Sequence, residues 1–161
     1  YKTFCCDQAV RKIYSEPSFI TKIQHMFPNQ DVSNKRIIAD IIYSDPLKKM
    51  ELEKTIHPLV EKELNSFLLQ NREQDKTFME IPLLFEANWE KYCDVVIVLY
   101  CAKNLRMERA KLRDIDEDLF NLINASQLDD KTKIDKADYS IDSSKEWSEV
   151  IKELELILAK I

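Results

Sequence analysis

The run DVVIVLYC, residues 94–101, constrains the fold of this chain more than any other stretch. It is almost continuously apolar and rich in valine, as is typical of a strand that is buried on both faces in a parallel sheet. Parallel strands are joined by crossover connections, which are usually helical, because a tight hairpin cannot join strands that run in the same direction. The run therefore predicts an α/β fold.

A second strand candidate, TFMEI at residues 77–81, is followed at once by Pro82. Proline cannot donate a backbone hydrogen bond to a sheet ladder, so the strand should end there and the segment PLLFE should begin a loop. Strand ends of this kind are where α/β proteins place ligands. The carboxylates of Glu80 and Glu86 flank this loop and are therefore candidate site residues.

Two shorter strand candidates complete the sheet, TFCC near the start of the chain and DYSI near its end. TFCC leads into a helix DQAVRKIYS, with Asp7 at a position where it could cap the helix. A helical tail follows DVVIVLYC, and the last helix, SKEWSEVIKELELILAKI, follows DYSI. The order β-α, helices, β, β-α, β-α predicts an α/β fold with a helical insertion.

The insertion covers residues 17–74, which contain only helix and loop patterns. Asp45 and Pro46 mark one helix start, and Pro58 is expected at the first position of a further helix. Apolar side chains at helical spacing are expected to face inward. They are Phe19, Ile20, Ile23 and Phe27, then Leu59, Leu64, Phe67 and Leu68, and in the last helix Trp147, Val150, Ile151 and Leu154.

Composition fits one globular domain of 161 residues, with 45% hydrophobic and 33% charged residues. The net charge of -5 argues against a general nucleic-acid binder, whose affinity depends on a basic surface. No stretch approaches the ~18 uninterrupted apolar residues of a membrane span, and the start lacks a signal-peptide plan. The four cysteines form no C-x-x-C pair and are expected to be buried thiols. A cytoplasmic location is the expectation that follows.

Glycine is absent from the chain, whereas average usage of about 7% predicts roughly eleven. The chain also opens on Tyr1, in a strand-like segment, rather than on methionine. We expect that an N-terminal segment, including a glycine-rich part, precedes Tyr1.

Three of the six arginines, Arg106, Arg109 and Arg113, are spaced to share one face of a helix. The planar guanidinium is well shaped to bind phosphate, so this face indicates an anionic ligand. A solvated face paired with Glu108 and nearby aspartates is the alternative. Asp7 also has one functional and one structural interpretation: it could be a general base or a helix cap.

Several short motifs in a fixed order carry a family resemblance. They are Asp7 after a strand, IHPLVEKE at 56–63, EIPLLFE at 80–86, DVVIVLYC, LRMERAKLRD at 105–114, ASQ at 125–127 and ADYSID at 137–142. In this order and spacing, and over nearly the whole chain, they resemble the dephospho-coenzyme A (dephospho-CoA) kinases.

The resemblance implies a P-loop kinase-like parallel sheet flanked by helices, with a helical substrate-binding insertion and a helical lid. The α/β core would be 1–16 and 75–161, the helical substrate-binding subdomain 17–74, and the lid 104–136. The implied reaction moves the γ-phosphoryl group of ATP, with Mg²⁺ as cofactor, to the ribose 3′-hydroxyl of dephospho-CoA. The small-molecule substrates ATP and dephospho-CoA are the implied partners.

The resemblance also implies roles for individual residues. Asp7 is the implied base for the acceptor hydroxyl, Arg109 and Arg113 close over the ATP phosphates, and Ser143 lies near the adenine. Glu80 is the candidate Mg²⁺ ligand, through water. The implied acceptor site consists of Arg36, His57, Pro82, Leu83, Leu84 and Glu86.

The chain departs from the family pattern at four places, one of which is Glu80, where an aspartate is common. No G-x-x-x-x-G-K-[ST] phosphate loop occurs in the 161 residues, which by themselves are therefore expected not to hold ATP. The usual acidic-small-acidic signature is Cys5-Cys6-Asp7 here, and Ser143 replaces a usual asparagine. The alternatives are another small-molecule P-loop kinase, such as a nucleoside monophosphate kinase, or a non-catalytic α/β binding module if Tyr1 is the native start.

Overall fold

The structure is a computed structural model that describes residues 1–32 and 35–161. The described part of the chain forms two compact units, Tyr1–Pro82 and Leu83–Ile161. The side chains of five residues in one helix lie outside the described part, namely Lys35, Arg36, Ala39, Asp40 and Tyr43. The expected division into core, helical subdomain and lid stays a prediction.

The first unit begins and ends with a strand and is helical between them. Its elements are β1 (Lys2–Cys5), α1 (Cys6–Tyr14), α2 (Pro17–Met26), α3 (Lys35–Ser44), α4 (Pro46–Gln70) and β2 (Thr77–Glu80). β1 and β2 pair in parallel, with a register that runs from Lys2 opposite Thr77 to Cys5 opposite Glu80. The carboxyl ends of both strands therefore meet at one edge. β2 stops two residues before Pro82, as the missing N–H of proline predicts.

A helical core holds this pair of strands. Ile23, Val60 and Leu64 are almost fully buried, and α1 packs on α4. The ring of Phe4 in β1 lies 5.7 Å from that of Phe67 in α4. Apolar burial is the main stabilising term in such a core.

Pro58 was expected to start a helix, but it lies inside α4. Its missing N–H removes one helical hydrogen bond, at a cost of about 3 kcal/mol in an isolated helix. One buried row, spaced by four residues, continues through the proline and offsets that cost. The row consists of Leu52, Ile56, Val60 and Leu64.

Two predicted helix caps have different outcomes. Asp45 does cap α4, because its side chain accepts hydrogen bonds from the backbone N–H groups of Leu47 and Lys48. Asp7 does not cap α1, since the cap position is Cys5 and no side chain bonds there. The strand passes directly into the helix, which places Asp7 in the first turn, where the helix dipole favours an acid.

The second unit is built on another parallel pair. Its elements are a 3₁₀ turn (Glu90–Tyr92), β3 (Ile97–Tyr100), α5 (Lys103–Lys111), α6 (Glu117–Ala125), α7 (Asp130–Lys136), β4 (Tyr139–Asp142) and α8 (Trp147–Leu158). β3 and β4 pair from Ile97 opposite Tyr139 to Tyr100 opposite Asp142. α8 covers β4 through a small core of Ile141, Val150 and Ile157. The predicted α/β class is confirmed.

Burial differs from the sequence expectation at several positions. Leu99 in β3 is 61% exposed, so this strand is not buried on both faces. The α8 core reaches Ile97 but does not include Leu99. Trp147 is 73% exposed because it stands at the first residue of α8. Ile20 and Leu59, both expected to face inward, are exposed as well.

The three arginines do not share one helix. α5 ends at Lys111, and Asp114 has a left-handed backbone with φ of 59°. Arg113 therefore lies in the turn after the helix, whereas Arg106 and Arg109 lie within it. A left-handed residue ends the helical hydrogen-bond pattern, which is why the face does not extend to Arg113.

No helix in residues 1–32 and 35–161 has the length and apolar character needed to cross a membrane.

Candidate active site

The carboxyl edge of the β1–β2 pair carries two exposed acids. Glu80 is the last residue of β2 and lies opposite Cys5, and Asp7 follows two residues after Cys5. The sequence predicted this shared edge, because parallel strands end on the same side of a sheet. The structure thus places both acids at one edge of the first unit.

Cys6 lies close enough to both carboxylates to feel their charge. Burial is the largest cause that raises the pKa of its thiol, from 9.0 to about 11, and the negative charges of Asp7, Cys5 and Glu80 add to the effect. Such a thiol stays protonated at neutral pH and is a poor nucleophile. Cys6 therefore fits a structural role beside the acids. The expectation that the cysteines are buried holds for Cys101 only, since Cys5, Cys6 and Cys93 are partly exposed.

The loop after β2 is a compact set of turns that contains two buried aromatic residues. Backbone hydrogen bonds run from Ala87 N to Leu83 O (3.0 Å) and from Trp89 N to Leu84 O (2.9 Å). The side chains of Phe85 and Trp89 are buried. Pro82 is exposed, while Leu83 and Leu84 are partly exposed. Buried anchors on one side leave the other residues of the turn available for a ligand.

Glu86 is held by the protein rather than pointing freely into solvent. Its Oε1 accepts a hydrogen bond from Leu128 N at 2.9 Å and lies 3.3 Å from Lys133 Nζ. Its Oε2 is buried and has no hydrogen-bond partner among the described residues. Glu86 Oε1 therefore ties the loop to the segment around α7, while Oε2 is shielded from solvent.

Arg109 and Ser143 meet at the carboxyl end of the β3–β4 pair. Arg109 donates to the backbone oxygen of Ser143 at 2.8 Å and makes a weak contact with Cys101 Sγ at 3.8 Å. The Ser143 hydroxyl donates to Tyr100 O at 3.0 Å. The guanidinium remains exposed, so it has donors left for an anion.

Arg106 belongs to a different arrangement. Its guanidinium forms an ion pair with Asp130 and donates to Asn124 Oδ1 at 3.0 Å. These contacts join α5, α6 and α7 and occupy two of its nitrogen atoms. Arg106 is therefore a structural arginine, whereas Arg113 is exposed in the turn after α5.

Two further candidates lie in the helices of the first unit. His57 is partly exposed on α4, next to Pro58. Arg36 lies near the start of α3, but its side chain is outside the described part.

A metal site made of protein ligands alone is absent from the described residues, which hold no group of three or more His, Cys, Asp or Glu suited to an ion. Mg²⁺ keeps several waters and usually needs one or two carboxylates plus substrate phosphates. The two acids at the β1–β2 edge are of the residue type that such a site uses.

Sequence patterns did not indicate Lys133. It lies in the polar segment DDKTKIDKA, where a lysine is indistinguishable from a solvated surface residue. Its side chain is only 15% exposed and pairs with Glu86, far away in the sequence. Only the burial of both charges reveals the contact.

Comparison with known proteins agrees with the motifs. The sequence model of one family, described as dephospho-CoA kinase, matches residues 7–149. A dephospho-CoA kinase of Rickettsia felis is 35% identical over 162 residues, covering 100% of this chain and 85% of the relative. The Rickettsia conorii protein of the same name is 37% identical over 163 residues, covering 96% of this chain and 85% of the relative.

Solved structures share the fold. A Thermus thermophilus protein described as TT1252 has a TM-score of 0.82 at 22% identity, covering 100% of this chain and 85% of its own. At that identity the likeness concerns the fold alone. A dephospho-CoA kinase from Campylobacter jejuni has a TM-score of 0.66 at 25% identity, covering 99% of this chain and 84% of its own.

The match of the family model extends from Asp7 past Ser143, and so includes every candidate site residue. The resemblance that the motifs predicted is confirmed by these relatives. The chain belongs to the dephospho-CoA kinase family.

Proposed function

We propose that this protein transfers the γ-phosphoryl group of ATP to the ribose 3′-hydroxyl of dephospho-CoA, which gives coenzyme A and ADP. Family membership over residues 7–149 is the observation that carries this function. It also disfavours the two alternatives, a nucleoside monophosphate kinase and a non-catalytic binding module.

Asp7 is the proposed general base. Its carboxylate is exposed at the end of β1 and has no capping role, so it is available to a substrate hydroxyl. As the hydroxyl oxygen attacks the γ-phosphorus, its proton passes to Asp7 and the bond to the leaving ADP oxygen breaks. A base within hydrogen-bond reach is what this step requires.

Arg109 and Arg113 are the proposed phosphate ligands. Phosphoryl transfer depends mainly on positioning and on stabilising the charge of the transferring group, and arginine is well suited to both. Arg109 is exposed and anchored on the Ser143 carbonyl, which is consistent with a role beside the nucleotide. We place Ser143 near the adenine, and residues 104–136 as the lid that carries both arginines.

The acceptor site is proposed to include the loop after β2. The exposed Pro82 and the partly exposed Leu83 and Leu84 present apolar groups, and Glu86 of the same turn is the proposed polar residue of the site. His57 and Arg36, in the helical part of the first unit, are the proposed further contacts of dephospho-CoA.

Mg²⁺ fits the proposed site as a cofactor bound with the phosphates of ATP. Glu80, through water, is the proposed protein contact, because it is an exposed carboxylate at the same edge as Asp7. When bound, the ion neutralises phosphate charge during transfer. We further propose that the protein acts in the cytoplasm without nucleic acid as a partner, which cell fractionation and a binding assay would test.

Acceptor selectivity tests the function directly. Protein expressed from its complete reading frame would be given ATP, Mg²⁺ and equal concentrations of dephospho-CoA, AMP, CMP or adenosine, and each phosphorylated product would be quantified. We expect coenzyme A to form with the highest kcat/KM. A higher kcat/KM for any nucleotide would contradict the proposal.

A further inference from the structure

The ion pair between Glu86 and Lys133 is unusually sheltered for this protein. Their side chains are 19% and 15% exposed, compared with 35% and 60% for Glu63 and Lys12, another long-range pair. Water and salt screen a sheltered pair less than a surface pair. Removing one partner leaves an uncompensated charge in a partly buried place, and this lowers the stability of the folded state.

The same two side chains make further polar contacts with one connection. Glu86 Oε1 accepts from Leu128 N, and Lys133 Nζ lies 3.4 Å from Gln127 Oε1, with both partners between α6 and α7. The ammonium of Lys136 lies 5.4 Å from the centre of the Phe85 ring. The loop at 82–88 is therefore held to α7 and to the segment before it.

The helix that carries Lys133, α7, also contacts α5 through a second ion pair. Asp130 lies three residues before Lys133 on α7 and forms the ion pair with Arg106 of α5. Residues three apart on a helix lie on neighbouring parts of its surface. α7 thus links α5 with the loop through two charged contacts, one made by Asp130 and the other by Lys133.

We propose that Lys133 is a positioning residue for the acceptor loop, and that it acts through Glu86 without touching substrate. The ion pair sets the place of the Glu86 carboxylate, and with it the orientation of Leu83 and Leu84 in the same turn. This inference rests on the proposed function in one respect, namely that the loop at 82–88 binds the acceptor.

Kinetic constants of Lys133→Met provide the first test. We expect the KM for dephospho-CoA to rise about tenfold while the KM for ATP changes less than twofold, because a small displacement of a binding loop impairs one substrate only. Lys133→Arg keeps the charge and should restore most of the affinity. Lys131→Met, an exposed lysine of the same helix, is the matched control and should equal wild type.

A double-mutant cycle tests whether the lysine acts through Glu86. Glu86→Gln combined with Lys133→Met should raise the KM little beyond the larger of the two single effects, since both changes break one contact. If the double variant instead raised the KM by the product of the two single effects, the proposed action of Lys133 through Glu86 would be wrong. Lys133→Gln would replace Lys133→Met throughout if the methionine variant does not fold.

Loop position can be measured without activity. In a Trp147→Phe background, Trp89 is the remaining tryptophan, and it is buried beside the loop. Lys133→Met should increase acrylamide quenching of Trp89, and Lys131→Met should not. Unchanged quenching would overturn the positioning role, as would increased quenching with an unchanged KM for the acceptor.

The two proposals fail separately. If wild-type protein prefers another acceptor but Lys133→Met still increases both Trp89 quenching and the KM for that acceptor, then the substrate assignment is wrong and the positioning role stands.

Discussion

Helix capping does not explain the position of Asp7. It stands in the first turn of α1, where its charge suits the helix dipole, but its side chain caps nothing and is exposed. An exposed acid at the end of a parallel strand is accessible to a ligand. This geometry agrees with the role of general base.

Substitution of Asp7 by asparagine keeps the size of the side chain and removes its charge. A general base contributes about 10²–10⁴-fold to a rate, so Asp7→Asn should lower kcat by that factor and change the KM for dephospho-CoA only a few-fold. Asp118→Asn, which alters an exposed first-turn acid of α6, is the matched control. Equal turnover in wild type and Asp7→Asn would remove Asp7 from the mechanism.

Arg109 makes few contacts within the protein, so its substitution can affect catalysis without a large effect on stability. Its neighbours are a backbone oxygen and a weak sulfur contact. Arg109→Ala should lower kcat/KM by an amount that corresponds to about 2–4 kcal/mol of lost transition-state stabilisation, while Tm barely changes. Arg72→Ala, which removes a surface arginine paired with Glu73, provides the comparison. A large fall in Tm with normal kcat per folded molecule would instead make Arg109 structural.

Cys6 should be unreactive until the pH is high. Its folded pKa is about 11 against 9.0 for an unperturbed thiol, mainly because of burial, so at pH 8 its thiolate is roughly a hundredfold scarcer. The raised pKa stabilises the folded state below pH 9, and this contribution is lost as the pH rises toward 11. Site-resolved alkylation by iodoacetamide, compared with the urea-unfolded protein, measures the effect. Equal rates at pH 8 would disprove it.

At the scale of single elements, α4 shows how a local start signal and a long buried row act together. Asp45 supplies the start by accepting from two backbone N–H groups. The buried row through Leu52, Ile56, Val60 and Leu64 then carries the helix past Pro58. The cap stabilises one end only, so its loss should weaken the helix without moving any candidate site residue.

Asp45→Ala should lower the free energy of unfolding by about 1 kcal/mol, the usual effect of losing such a cap. Asp45→Asn retains an accepting oxygen and should cost only a few tenths of that amount. Urea unfolding of the three proteins gives the comparison, with kcat/KM per folded molecule unchanged. Equal losses in both variants would show that charge rather than capping matters.

At the scale of the whole molecule, substrate binding should increase the free energy of unfolding and therefore Tm. A ligand that binds only the folded state at 100 times its Kd adds about 2.7 kcal/mol to the free energy of unfolding. Dephospho-CoA should therefore raise Tm more than adenosine at equal concentration. A calorimetric scan with each ligand measures this, and an unchanged Tm at a concentration that saturates turnover would contradict acceptor binding to the native fold.

Elements with a strong local cause could be predicted from the sequence. Pro82 ends the strand before it because proline lacks an N–H, and Asp45 with Pro46 starts a helix for equally local reasons. The motifs around Asp7 and PLLFE identified the family, since their order and spacing are carried by the chain itself. Local chemistry and motif order required no knowledge of which distant residues meet.

Distant contacts were decided only by the tertiary structure. The passage of α4 through Pro58, the exposure of Leu99, and the divergent roles of Arg106 and Arg109 all depend on what packs beside each residue. The Glu86–Lys133 pair is the clearest case. A lysine in a polar helix and a glutamate in a loop carry no mutual signal in sequence, because burial alone converts two ordinary charges into a contact that orders the loop.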